Sequence, residues 1–190
     1  MEASHVQKIA RVLNVLVTVT FLCNLIALPL VPGVVYFRFS RDGFSFSSLQ
    51  ATFAYDTDDG LGNLLTIYLR DVWREPYTLA LTLFLLFAGV CTAIILWQGR
   101  RVLQSILQGT PFSIENAVSL RRAAVCSFII AVAALFRVIF NLFHFRSAAP
   151  LLSYNALFVP IFAMAGLLCL VMSALFRQAA EIKAENDLTI

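Results

Sequence analysis

Long apolar runs alternate with short polar ones along the chain, and four of the apolar runs are as long as a membrane crossing. Residues 12–37, 76–99 and 147–176 contain no Asp, Glu, Lys or Arg, and residues 123–145 contain Arg137 alone. A hydrocarbon core about 30 Å thick needs roughly 20 apolar residues to cross it. Lipid cannot satisfy bare backbone N–H and C=O groups, so each run is predicted as a helix and not a strand. The expected spans are about 12–32, 76–97, 123–145 and 153–176. The first follows Lys8 and Arg11 and exceeds the roughly 7–15 apolar residues of a signal-peptide core. It reads as a retained anchor.

The segment between the first two spans, 33–75, has a different pattern. VYFRFSRDGFSFSS alternates apolar and polar residues on both sides of Asp42-Gly43. Asp-Gly between alternating strands predicts a β-hairpin, because both turn residues must accept positive φ. Phe39 and Phe46 would face each other across it, and a third strand could add near residues 52–55. Further on, Leu61, Leu64, Leu65, Tyr68 and Val72 recur at helical spacing, which predicts an amphipathic helix lying on the membrane surface. DTDDG before it resembles a calcium loop, but its glycine comes too early and the distal Glu is missing. It reads as a capped turn.

Between the second and third spans lies GRRVLQSILQGTPFSIENAVSLRR. Gly109 is placed to end one helix and Pro111 to prevent its continuation. Ser113 is placed to cap the next, with the Glu115 carboxylate favourable in the first turn. The expectation is a tight helical hairpin over 98–122 that projects past the headgroups. The tail, 177–190, extends the fourth helix, with Arg177 and Glu181 paired at i,i+4 and Asn186-Asp187 ending the helix.

Composition agrees with this pattern. The chain has 13% charged residues and a mean hydropathy of +0.84, against about 25% charged in soluble domains, so most of it meets lipid. The fold class is therefore an all-α integral membrane protein: four transmembrane helices with a small external β-hairpin plus amphipathic helix. Arg100, Arg101, Arg121 and Arg122 cluster in one short loop. By the positive-inside rule that loop is cytoplasmic. Both termini are then cytoplasmic too, segment 33–75 is the external cap, and the location is the cytoplasmic (plasma) membrane. The net charge of +3 reflects this topology, and direct nucleic-acid binding is not expected.

The loop and tail also carry a resemblance. The chain resembles the bacterial membrane proteins grouped as domain-of-unknown-function family 2975. These share a G-x-P-F-[ST]-x-E-N-x-x-x-L-R element, matched here by Gly109, Pro111, Phe112, Ser113, Glu115, Asn116, Leu120 and Arg121. They share a terminal E-x-D-L-T-I-like element as well, matched by Glu185, Asp187, Leu188, Thr189 and Ile190. The resemblance extends over essentially the whole chain. It implies a neighbouring small helix-turn-helix regulator of the Cro type, and hence a membrane partner that restrains or informs a transcription factor. It carries over no catalytic residues.

Candidate chemistry is sparse. Arg137, Asn141 and His144 share a helix face, and Asn24 lies at a similar depth in the first span. An intramembrane arginine costs at least about 2.5–3.5 kcal/mol on insertion scales, so it should face the bundle or a cavity. These four residues are the candidate ligand site. The alternative is that Arg137 snorkels outward to Asn24, backbone carbonyls, water or a headgroup. Cys23, Cys91, Cys126 and Cys169 fall one per span and read as small buried hydrophobes. No G-x-S-x-G, H-E-x-x-H or P-loop pattern occurs, so no enzyme, cofactor or metal is expected. The first functional expectation is a regulatory or sensory interaction protein. Its partner surface comprises Pro111, Phe112, Ser113, Glu115, Asn116, Arg121, Glu185, Asp187 and Ile190. The alternatives are an oligomeric channel or transporter subunit, or an immunity protein against a membrane-active peptide. Membrane lipid, a cytoplasmic transcription regulator and further copies of the chain are the expected partners.

Overall fold

A computed structural model of the chain describes residues 2–39, 76–146, 151 and 156–188. Four long helices make up this part: α1 (Glu2–Phe39), α2 (Pro76–Leu107), α3 (Ile114–Phe145) and α4 (Phe158–Leu188). Each contains a window long and apolar enough to cross a membrane, which makes this a multi-pass membrane protein. Their hydroxyls follow the rule for lipid. Thr18, Thr20, Thr82, Thr92 and Ser127 each donate to the carbonyl four residues earlier, at 2.7–3.0 Å. Such bonds satisfy a hydroxyl without another helix.

The first strand of the predicted hairpin is not formed. Helix α1 runs through Phe39, so residues 35–39, read as its first strand, are helical, and no strand occurs among the described residues. Five alternating residues are too few to separate strand from buried helix by periodicity. Extending an existing helix gains one hydrogen bond per residue with no new nucleus. Pro29 and Pro32 lie inside α1, where neighbouring groups in a membrane protein can compensate for the lost bonds. The Asp42-Gly43 turn, the second strand, the DTDDG turn and the amphipathic helix lie outside the described residues. At the other end of the chain, α4 continues through Leu188, so Asn186-Asp187 does not terminate it.

The chain divides into two compact units, one of Met1–Leu25 with Ala88–Ile190 and one of Ile26–Phe87. In the second, Pro32, Val35, Thr78 and Thr82 are buried. The first holds the principal helix pair, α3 against α4. Phe112 meets Phe176, Ala117 meets Ser173, and Phe128 meets Gly166, so the two helices run antiparallel. In α3, 39% of the spanning window is buried, against 6–11% in the other three helices. It is the most buried of the four spanning helices. Its buried positions are mostly small: Ala117, Ala123, Ala124, Ser127, Ala131 and Ala134, with Ile130 the one large residue fully enclosed. Ala123, Ser127 and Ala131 repeat every fourth residue, the small-xxx-small pattern that lets helix backbones approach. Helix α3 ends at Arg146, whose φ of 47° is left-handed.

Two glycines should respond in opposite directions. A Cβ on Gly166 would lie 3.1 Å from the Phe128 ring, whereas one on Gly99 would meet nothing within 4 Å. Gly166→Leu is expected to cost about 1–3 kcal/mol through overpacking. Gly99→Ala is expected to gain up to about 1 kcal/mol through helix propensity. Thermal unfolding of both variants in one detergent checks the signs.

Candidate functional site

The α2–α3 turn is built by three separate devices. The first closes α2. Gly109 has φ +79°, and its N–H donates to the Ile106 carbonyl at 3.1 Å, while the Thr110 N–H donates to the Ser105 carbonyl at 3.0 Å. This pair of bonds is the Schellman motif, which caps the otherwise open carbonyls at a helix C-terminus. The second opens α3. Ser113 is extended at φ −127° and ψ 149°, and its side chain accepts from the Asn116 N–H at 3.3 Å. That satisfies one of the free donors of the first turn.

The third device ties the two helices together. The Asn116 side-chain amide donates to Ser105 Oγ on α2, and at 2.7 Å to the Pro111 carbonyl in the turn. The Ser105 hydroxyl in turn donates to the Val102 carbonyl at 2.9 Å. Asn116 is 4% exposed, so this network lies inside the hairpin.

Burial thus divides the expected partner surface. Asn116 faces inward, and Pro111 and Ser113 are half-buried parts of the turn itself. Phe112 remains 51% exposed although its ring touches Phe176 of α4, with centroids 5.6 Å apart. Glu115 and Arg121 are exposed, and Ile114 is 62% exposed. Sequence reasoning missed Ile114 as an outward group. It also missed Ser105, whose signal was a single hydroxyl among Val102, Leu103, Ile106 and Leu107.

Helix α4 brings the tail to the same end. Ser173 Oγ donates to the Ala117 carbonyl at 2.7 Å, so residues beyond Phe176 continue from the level of the turn. Glu185 is exposed and Asp187 lies in the last helical turn. Ile190 falls outside the described residues. Arg177 Nε and Glu181 Oε1 pair at 2.9 Å, with both side chains more than half exposed. Such a pair contributes a few tenths of a kcal/mol at most.

The stripe of Arg137, Asn141 and His144 does not form one surface. Asn141 is buried, Arg137 is half-buried and is not without a partner, and His144 is exposed and stacks on Phe140, with centroids 5.8 Å apart. The Asn24 Oδ1 is shielded from solvent and accepts no hydrogen bond. It therefore does not serve as the acceptor for Arg137. Cys91 is buried, Cys126 and Cys169 are half-buried and Cys23 is exposed, all as free thiols.

The family model described as "Protein of unknown function (DUF2975)" matches residues 71–190. The chain belongs to this family. The family portion contains α2, the turn, α3 and α4, but not α1, so the likeness is confined to 71–190 instead of covering essentially the whole chain. No curated protein and no solved structure matches. Within the family element, Gly109, Ser113 and Asn116 each have a place in the architecture of the turn.

Loss of each device has its own expected cost. Ser113→Ala is expected to lower stability by about 1 kcal/mol, the value of an N-cap. Gly109→Ala places a Cβ in a left-handed residue and costs about 1–2 kcal/mol. Asn116→Leu removes both amide bonds and leaves the Pro111 carbonyl without them, at about 1–3 kcal/mol. Unfolding in detergent measures all three, and Asn116→Leu should cost more than Ser113→Ala.

Proposed function

We propose that this protein is a regulatory interaction protein of the cytoplasmic membrane, docking a soluble helix-turn-helix regulator on the α2–α3 turn and the α4 tail. One observation carries the reading. The turn holds Phe112 and Ile114 exposed on a rigid backbone, at the end of the bundle from which the tail emerges. Helices α2 and α3 are 32 residues each, or about 48 Å at 1.5 Å per residue. That exceeds the roughly 30 Å hydrocarbon core, leaving length for the turn to stand clear of lipid.

Orientation follows from charge. Arg100, Arg101, Arg121, Arg122, Arg177 and Lys183 gather at the turn end, which the positive-inside rule assigns to the cytoplasm together with both termini. On this reading Phe112, Ile114, Glu115, Arg121, Glu185 and Asp187 touch the partner, while Pro111, Ser113 and Asn116 hold the surface in shape. The protein, on this reading, acts by binding. The spanning hydroxyls bonded within their own helices weigh against a polar transport path.

Affinity isolation from detergent tests this reading. The full chain should recover a soluble DNA-binding protein. Recovery should fall at least about tenfold (about 1.4 kcal/mol) without residues 177–190, and likewise with Ile114→Glu. That substitution adds an acid where the helix dipole favours one, so the fold is spared. Equal recovery by both variants would sink the reading. So would ion flux in liposomes with no protein recovered.

A further inference from the structure

A second feature of the turn end has no part in docking. Trp97, Arg100, Arg101 and Gln104 lie at i, i+3, i+4 and i+7 on α2, which places them on one helix face. Phe21 of α1 supplies the opposite wall, its ring edge-on to Trp97 with centroids 6.4 Å apart. Together these five side chains line a cleft of about 260 Å³. That is just under the roughly 300 Å³ at which pockets begin to enclose a drug-sized molecule. It offers room for a phosphodiester headgroup but not for its acyl chains.

The electrostatics of the cleft are one-sided. Neither Arg100 nor Arg101 forms an ion pair among the described residues. The Arg100 Nε is sheltered from solvent and has no hydrogen-bond acceptor. A shielded guanidinium N–H without an acceptor is costly, although Arg100 as a whole is half-buried and Arg101 is exposed. Arg100 can turn toward an incoming anion without breaking any bond to the protein. Guanidinium groups match phosphate geometry with paired donors. Trp97 is 60% exposed one turn from the arginines, and tryptophan is enriched at headgroup depth.

We propose that this cleft binds a phosphate-bearing anion, with the Arg100 and Arg101 guanidinium groups on the phosphate, Gln104 as a further donor, and Trp97 and Phe21 as the apolar walls. Phosphate can come from a lipid headgroup or from solution, and Trp97 favours the lipid. The site does not depend on which leaflet the turn end faces, because headgroups line both.

Trp97 makes the test direct. The chain has two tryptophans, so in a Trp73→Phe background the emission reports the cleft alone. Full-length protein in neutral detergent is titrated with phosphatidylglycerol, phosphatidylcholine and inorganic phosphate. Phosphatidylglycerol should shift Trp97 emission saturably, and more strongly than the zwitterionic phosphatidylcholine. Arg100→Gln with Arg101→Gln should weaken that response about thirtyfold, the factor given by two basic contacts of about 1 kcal/mol each. Arg177→Gln with Lys183→Gln removes equal charge at the same end and should change it less than about twofold. Arg100→Lys with Arg101→Lys keeps the charge but not the paired donors. Where the glutamine variant fails to fold, this pair should still weaken the response several-fold, and an unchanged response would overturn the assignment to the guanidinium groups. Saturation by inorganic phosphate at comparable concentration supports the site and assigns it to a soluble anion. A response to the lipid alone supports it and assigns it to the membrane. No saturable response to either anion overturns the proposal. Equal titration by a folded glutamine variant, or equal loss in the tail variant, overturns it as well.

Discussion

Apolar side chains gain little by leaving lipid for each other, so helices in a bilayer must associate by close approach and by polar contacts. That constraint explains why α3 has so many small residues on its buried face. Ala123, Ser127 and Ala131 let neighbouring backbone come near, and dispersion contacts accumulate steeply with proximity. Phe128 against Gly166 is the complementary device, a large ring seated where the facing helix has no side chain. Ser173 donating to the Ala117 carbonyl adds a bond that fixes register along the pair. Leu135, Phe136 and Phe143 of α3 are left outward, where lipid solvates them without penalty.

Register between α3 and α4 determines what reaches the turn end. Because residue 117 lies beside residue 173, the Phe112 ring arrives at Phe176 and the tail leaves from that level. The connection from α2 allows little slack. Gly109 ends α2 in a left-handed residue, Ser113 starts α3 in an extended one, and Asn116 reaches back across the turn to Ser105. A loop of six residues fixed at both ends and in the middle has little conformational freedom left. Its exposed side chains are therefore presented without a large ordering cost on binding.

The spans were legible because absence of charge over more than twenty residues has few physical explanations. The ends of α2 and α3 were legible because glycine, proline and serine each restrict the backbone in a distinct way. Residues 35–39 were misread because the tyrosine and phenylalanines of VYFRF suit a strand, while the helix already formed upstream could simply continue. Asn116 was misread for another reason. It was placed on the partner surface because it belongs to the family element, although position N3 of a capped helix can reach back into the preceding turn, as Asn116 does to the Pro111 carbonyl. The stripe at Arg137, Asn141 and His144 shows the limit of helical spacing as evidence. Asn141 and His144 are three residues, or about 300°, apart, and the remaining rotation of about 60° suffices to bury Asn141 while exposing His144. The Arg100 cleft was invisible for a simpler reason. Its opposite wall is Phe21, and nothing in the order of residues couples position 21 to position 97.

Residues that recur together in a family element need not act together. Here Gly109, Ser113 and Asn116 shape the backbone, while Phe112 and Glu115 between them face outward. Their energies differ in kind. An exposed ion pair such as Arg177–Glu181 contributes a few tenths of a kcal/mol, whereas fully burying a phenylalanine or isoleucine contributes about 1.5–3 kcal/mol. Phe112 and Ile114 therefore dominate what any partner gains at this surface, and Glu115 and Arg121 chiefly set its orientation. Substituting the shaping residues would weaken such binding too, but by letting the turn move. The two effects separate in stability, because loss of Ser113 or Asn116 destabilises the fold while loss of Ile114 leaves its hydrogen bonds intact.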